Sequence, residues 1–165
     1  MTTHNPSGSV TIKNLEAAFA GESMAHTKYR YFAKVCRAHG DEASARLFDD
    51  TADQEVLHAL GHLDLLMPAS ELTPAKCLEL AIEGETYEYT EMYPQFRHLA
   101  EQEGNADAVR EMDEQIAESR GHADCFRGLL EKAGKRFAAL AKVEEKHANR
   151  YSAQRQQALA AGAHS

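Results

Sequence analysis

An all-α protein is predicted from three observations on the 165-residue chain. Glycine and proline are sparse, at 10 and 4 residues, and tryptophan is absent, a composition that favours helix over turn-rich β structure. Apolar residues recur at i, i+3, i+4 and i+7 through most of the length, the period of a helix with one buried face. The punctuation between these runs, Gly40-Asp41, Pro68, Thr73-Pro74 and Gly104-Asn105, is that of helix ends and helix starts.

Taken in order, helix one is expected over about 13–38, stopping at His39-Gly40. Asp41 should cap a second helix ending near Met67-Pro68. Thr73 and Pro74 read as N-cap and first-turn proline of a third helix running to Glu103. Pro94 lies inside it and predicts a kink or local widening rather than an end, because periodicity resumes at Phe96 and Leu99. Asn105 should cap a fourth helix reaching about Lys132, and Ala133-Gly134 reads as a turn into a fifth helix from Lys135 to about Ala160. The expected organisation is a flexible tail over 1–12, one domain over 13–160 with an extra helical segment at about 105–132, and a short tail over 161–165.

Charge and cysteine usage narrow the partners. The net charge of −8 argues against nucleic acid. No apolar run is long enough for a membrane span or shaped like a signal sequence. Cys36, Cys77 and Cys125 are scattered and odd in number, which excludes a C-x-x-C metal knuckle and suggests a reducing, cytoplasmic setting.

The chain also repeats itself. Ala20-Gly21-Glu22-Ser23 with Thr27 matches Glu83-Gly84-Glu85-Thr86 with Thr90, 63 residues on, and each is followed by a similar break. Two helical hairpins of like design build a site between them. Glu22 interrupts the apolar stripe Leu15, Phe19, Ala25, Tyr29, Phe32. Glu55 and His58 interrupt Phe48, Ala52, Ala59, and Glu85, with Glu88 as its i+3 neighbour, interrupts Leu78, Ile82, Tyr89. Glu144 and His147 interrupt Phe137, Leu140, Ala141, Tyr151. Buried carboxylates need compensation. Two divalent cations nearly balance five of them, and oxygen-plus-imidazole ligation suits iron or manganese better than zinc. One Glu from each of two helices plus Glu-x-x-His from each of two others is the donor pattern of di-iron and di-manganese bundles.

The segments Ala20–Ser23, Glu55–Ala59, Ile82–Pro94, which reads IEGETYEYTEMYP, and Glu144–Ala148 resemble the rubrerythrin family over 14–104 and again over 135–155. The resemblance implies a ferritin-like four-helix bundle with an additional helix. It also implies a centre of two non-haem iron ions, or manganese, that reduces hydrogen peroxide to water in oxidative-stress defence. Glu55 and Glu144 would bridge or flank the metals, Glu22 and Glu85 would be terminal carboxylates, and His58 and His147 nitrogen ligands. Glu88 would exchange with His58 as one iron shifts, while Tyr29 and Tyr93 would hydrogen-bond ligand carboxylates. The symerythrin branch has a further carboxylate on helix one, where Ala25 stands here.

Two departures matter. No rubredoxin-type domain is present in these residues, so electrons are expected from an external donor such as rubredoxin. The interval from Gly104 to Glu144 exceeds the family's by 25 residues, the separation of Ser119 from Glu144. By position after Gly104, Ser119 and His122 fall where a fourth-helix Glu and His should be; the helix there carries the seam Val109, Met112, Ile116, Ser119, Ala123, Phe126, Leu130 with no carboxylate on it, and Glu118 and His122 flank that seam. Either Glu144/His147 or the poorer Glu118/His122 pair supplies the last ligands, and the former is preferred. The link from Pro68 to Thr73 reaches only about 20 Å, short for a bundle crossover, which predicts a domain-swapped homodimer. A ferroxidase or iron-handling protein is the alternative to the peroxidase.

Overall fold

The computed structural model describes residues 9–162. Five α-helices follow in order: α1 (Val10–Ala38), α2 (Glu42–Leu66), α3 (Pro74–Tyr87), α4 (Tyr93–Gln102) and α5 (Ala106–Gly162). A 3₁₀ turn, Ala69–Glu71, precedes α3, and a π-helical turn, Glu88–Met92, joins α3 to α4. The described residues contain no strand, so the all-α expectation holds. No helix is long and apolar enough to cross a membrane.

The helix ends form where the side chains dictate. Asp41 accepts from the Ser44 N–H at 3.0 Å, Thr73 from the Lys76 N–H at 3.1 Å and Asn105 from the Ala108 N–H at 3.1 Å, each satisfying an orphan first-turn donor. Gly40 and Gly104 adopt φ of +80° and +71°, the left-handed conformation that lets the chain turn after α1 and α4.

Pro94 acts one turn upstream of itself. Its ring nitrogen has no proton for the Thr90 carbonyl, and the backbone widens before it, with the Tyr93 N–H donating to the Glu88 carbonyl. This five-residue bond is the signature of a π turn.

Two expectations at the ends of the chain are corrected. Residues 10–12 belong to α1 and residues 161–162 to α5; the rest of the two tails, 1–8 and 163–165, lies outside the described residues. The larger correction is at Ala133-Gly134. No turn forms there, and the expected fourth and fifth helices are one 57-residue helix. A single helical glycine costs only about 1 kcal/mol relative to alanine. Lys132, Lys135 and Arg136 beside it are good helix formers, so nothing forces a break.

Contacts divide the chain into two units, residues 1–72 and 73–165. In the first, α1 packs on α2. Ala45, Ala52 and Ala59 are buried at seven-residue spacing, with Ala33 opposite, and the absence of bulk lets the two helices approach closely. Tyr29, Phe32 and Phe48 stack beside them, Phe48 lying 5.8 Å from Tyr29 and 5.5 Å from Phe32. Arg30 and Arg37 both pair with Asp49, and Arg30 also reaches Asp53, tying the two helices on their outer side. In the second unit, α3, the π turn and α4 pack along the first half of α5. The seam expected on that half is what packs: Ser119 and Ala123 are buried and Val109, Met112, Ile116, Phe126 and Leu130 half-buried.

Candidate metal centre

In the α1–α2 unit the helical register brings Glu22 from α1 beside Glu55 and His58 from α2. One donor atom from each lies within 4.8 Å of the others. His58 Nδ1 donates to Glu55 Oε2 at 3.3 Å. Glu22 and Glu55 form a hydrogen-bonded carboxyl pair: the bond to Glu55 holds Glu22 above the usual carboxylate range, and the same bond holds Glu55 below it.

The second unit offers similar donors in two separate contacts. Glu85, in the last turn of α3, accepts from His122 Nδ1 of α5 at 3.3 Å. Glu88, the first residue of the π turn, accepts from the Ser119 hydroxyl at 2.8 Å. The exposure of the two Glu–His pairs is nearly the same, 17% and 58% for Glu55 and His58 against 21% and 59% for Glu85 and His122. In both units the carboxylate is held in and the imidazole is reachable.

The expected residues are therefore placed as follows. Glu22, Glu55 and His58 come together in one unit, while in the other Glu85 meets His122 and Glu88 meets Ser119. Glu144 and His147 join neither set: both are exposed, and they lie 25 residues beyond Ser119 and His122 on the same helix, about 37 Å along its axis. The histidine of α5 that meets Glu85 is His122. Ser119 stands where the second Glu-x-x-His would carry its carboxylate. The 63-residue repeat held the signal for this, since it extends at 64 residues from Glu55 and His58 to Ser119 and His122. Glu118 is exposed and makes no described contact with these groups.

The tyrosines divide. Tyr29 stacks on Phe32 and Phe48, 6.3 and 5.8 Å between ring centres, and makes no described hydrogen bond to a carboxylate. Tyr93 is half-buried, and its phenol is pushed up by burial and by the charges of Glu88, Glu111 and Glu85, so it stays a neutral O–H donor beside them. Tyr89 is held between two guanidinium groups that the sequence did not single out. Arg120 lies 5.3 Å over its ring, and Arg127 donates to its hydroxyl at 3.4 Å and to Thr86 at 2.8 Å.

Oxygen-rich donors with one imidazole in each unit are the chemistry of iron or manganese rather than of structural zinc. Within each unit the donor types fit such a metal: Glu22, Glu55 and His58 in one, and Glu85, Glu88 and His122 in the other.

Comparison with known proteins agrees. The family model for rubrerythrin matches residues 13–130, which takes in Ser119 and His122 and ends before Glu144. Nigerythrin of Nitratidesulfovibrio vulgaris is 40% identical over 111 residues, covering 60% of this chain and 55% of that protein. Rubrerythrin of Porphyromonas gingivalis is 40% identical over 108 residues, covering 59% and 54%. A putative rubrerythrin of Methanocaldococcus jannaschii is 35% identical over 143 residues, covering 73% and 69%. A solved structure of fully reduced, all-ferrous nigerythrin matches at 32% identity over 81% of this chain and 72% of that one, with a TM-score of 0.39. The chain spans about half the length of the first two relatives. The chain belongs to the rubrerythrin family.

Proposed function

We propose that this protein is a non-haem di-iron peroxidase that reduces hydrogen peroxide to water with electrons from a separate donor protein such as rubredoxin, in oxidative-stress defence. The observation that carries the reading is the gathering of Glu22, Glu55 and His58 within 4.8 Å in one unit; Glu85, Glu88 and His122 would supply donors of the same types from the other. Four carboxylates balance two divalent cations in full, so no charge is left uncompensated by Ser119 in place of a fifth. Glu144/His147 is the competing source for the last ligands. Within one chain His122 is favoured by its 3.3 Å contact with Glu85.

Two ferrous ions held this way would supply two electrons to split the O–O bond, and two protons complete the conversion of one peroxide to two waters. The chain's own residues manage those protons and positions. Glu22, raised by its bond to Glu55, takes up a proton more readily than an ordinary carboxylate, and metal entry competes with that proton. Tyr93, kept neutral, offers a phenolic proton beside Glu85 and Glu88. Ser119 holds Glu88 toward α5 by its 2.8 Å bond, so that moving Glu88 breaks one hydrogen bond only. Tyr29 serves through packing, as the floor under α1.

A homodimer in which hairpins are exchanged between copies accommodates the short link between α2 and α3, Met67–Thr73, part of which is already taken up by a 3₁₀ turn. The free cysteines, Cys36, Cys77 and Cys125, suit a reducing cytoplasm.

The test is stopped-flow oxidation of the anaerobically iron-loaded protein. Peroxide should oxidise it at least about a hundredfold faster than dioxygen at equal concentration, a difference of about 2.7 kcal/mol in barrier. Oxidation by dioxygen as fast as by peroxide would favour the ferroxidase, iron-handling reading instead.

A further inference from the structure

The polar contacts that cross the second unit fall in one row along α5. From its N-terminal end they are Arg97 with Asp113 at 2.6 Å, Glu88 with Ser119 at 2.8 Å, Glu85 with His122 at 3.3 Å, and Arg127 with Thr86 at 2.8 Å and Tyr89 at 3.4 Å. Guanidinium ties thus bracket the two carboxylates. Of the two, Arg127 stands closer in the chain's terms: Thr86 adjoins Glu85, and Tyr89 adjoins Glu88.

Arg127 is half-buried and its donors are divided. Nη1 donates to Asp124 at 2.9 Å, which orients the fork on its own helix, and Nη2 is left to span the Thr86 and Tyr89 hydroxyls. Arg120 lies 5.3 Å over the Tyr89 ring, a cation–π contact that holds the face of the ring while Arg127 holds its hydroxyl. The backbone clamped in this way is the start of the π turn, Glu88–Met92. Its hydrogen-bond register differs from that of the α-helix on either side, so α3 alone does not set where Glu88 stands against α5.

The first unit serves as an internal control. At the repeat's offsets of 63 and 64 residues, Glu88, Ser119 and Arg127 stand where the first unit has Ala25, Glu55 and Leu63. Thr27 and Thr90 make the same bond, each donating to the carbonyl four residues back, at 3.1 and 2.7 Å. The hydroxyls before them differ: Ser23 donates into its own helix, to the Phe19 carbonyl at 2.7 Å, whereas Thr86 accepts from Arg127. The unit with the extra carboxylate on its first helix is the unit with the clamp.

We infer that Arg127 is a positioning residue for Glu88: by pinning Thr86 and Tyr89 to α5 it fixes the start of the π turn, so that Glu88 reaches either Ser119 or a metal ion by side-chain rotation alone. The role rests on the reading of Glu88 as a metal ligand. Lysine cannot fill it, because one ammonium group lacks the planar fork that serves Asp124 and both hydroxyls at once.

The test is a double-mutant cycle on the full-length protein, with Fe(II) affinity read by anaerobic titration and peroxide oxidation by stopped flow. Arg127→Gln and Arg127→Lys should each weaken Fe(II) binding and slow oxidation by up to about tenfold, no more than Glu88→Ala does, with helix content unchanged. Thr86→Val with Tyr89→Phe keeps the guanidinium, removes both acceptors, and should reproduce the loss. In the Glu88→Ala background, Arg127→Gln should have no further effect. Losses that add in that double variant overturn the role, since Arg127 then acts other than through Glu88. Unchanged Fe(II) binding in Arg127→Gln, where Glu88→Ala weakens it, overturns the role as well. Fe(II) binding and oxidation indifferent to Glu88→Ala overturn the reading of Glu88 as a ligand, and the role of Arg127 with it.

Discussion

The two units of the chain reach the same donor count by different routes. In α1–α2 the second carboxylate sits on the second helix as Glu55, and the position three residues after Glu22 is Ala25. In the other unit the second carboxylate sits on the first helix as Glu88, three residues after Glu85, and the position matching Glu55 is Ser119. One carboxylate has in effect moved across the helix pair. The consequence is electrostatic: Glu22 and Glu55 face each other, which raises Glu22 and lowers Glu55, whereas Glu88 faces a hydroxyl that donates to it. The first unit has two carboxyl groups that perturb each other, and the second has two that are bonded to separate partners on α5.

The largest expected effect comes from removing the carboxylate at the centre of the first group. Glu55→Ala should abolish binding of at least one iron per chain and lower peroxide turnover by more than about a hundredfold, read by elemental analysis and by stopped flow. Glu88→Ala in the second unit should cost less, about tenfold in turnover, because Glu85 and His122 remain as donors there.

The raised Glu22 makes a pH prediction. Metal competes with a proton for Glu22, which is held above the usual carboxylate range, so Fe(II) affinity should fall as pH drops through that raised value. Glu22→Gln removes this titrating group and should flatten the dependence while weakening binding. Titration calorimetry in buffers of different ionisation enthalpy would count any proton released by each protein. The opposite sign, affinity rising as pH falls, would remove Glu22 as the group that competes with metal.

A smaller effect separates scaffold from site. Asp49 is held below the usual carboxylate range, chiefly by the Arg37 bond and then by Arg30. Its contribution to stability is therefore present above the ordinary carboxylate pKa and lost as pH falls through the lowered value. Asp49→Asn should lower Tm at neutral pH by a margin that shrinks on acidification, with iron content unchanged. Smallest of all, Pro94→Ala should let the π turn relax toward α-helix and lengthen the Ser119–Glu88 contact, seen as a modest change in the iron spectrum with little change in Tm.

Much of this was legible in the sequence because it is local. Asp41, Thr73 and Asn105 state where helices begin, Pro94 states that the third helix must widen, and the seam from Val109 to Leu130 states which face of α5 packs. The pairing of Glu22 with Glu55 and His58 follows from stripe phase alone. The continuity of α5 was not legible, since Ala133-Gly134 permits a turn as readily as a helix and only the balance of propensity over the flanking residues decides. That one boundary governs the ligand set. With a turn, Glu144 and His147 could return to the bundle; without it they are carried about 37 Å past Glu85. Ser119 and His122 were legible by position as the places of a fourth-helix Glu and His, but a hydroxyl in place of a carboxylate gave no chemical reason to prefer them over Glu144 and His147. Its role emerges only once Glu88 is seen to face it.

The most direct test of the central claim, that each unit gives two carboxylates and one imidazole, is the iron content of anaerobically loaded wild type, His122→Ala and Glu144→Ala. The account predicts about two irons per chain in the wild type and in Glu144→Ala, and at most one in His122→Ala. Two irons in His122→Ala together with loss in Glu144→Ala would contradict it and return the last ligands to the far half of α5.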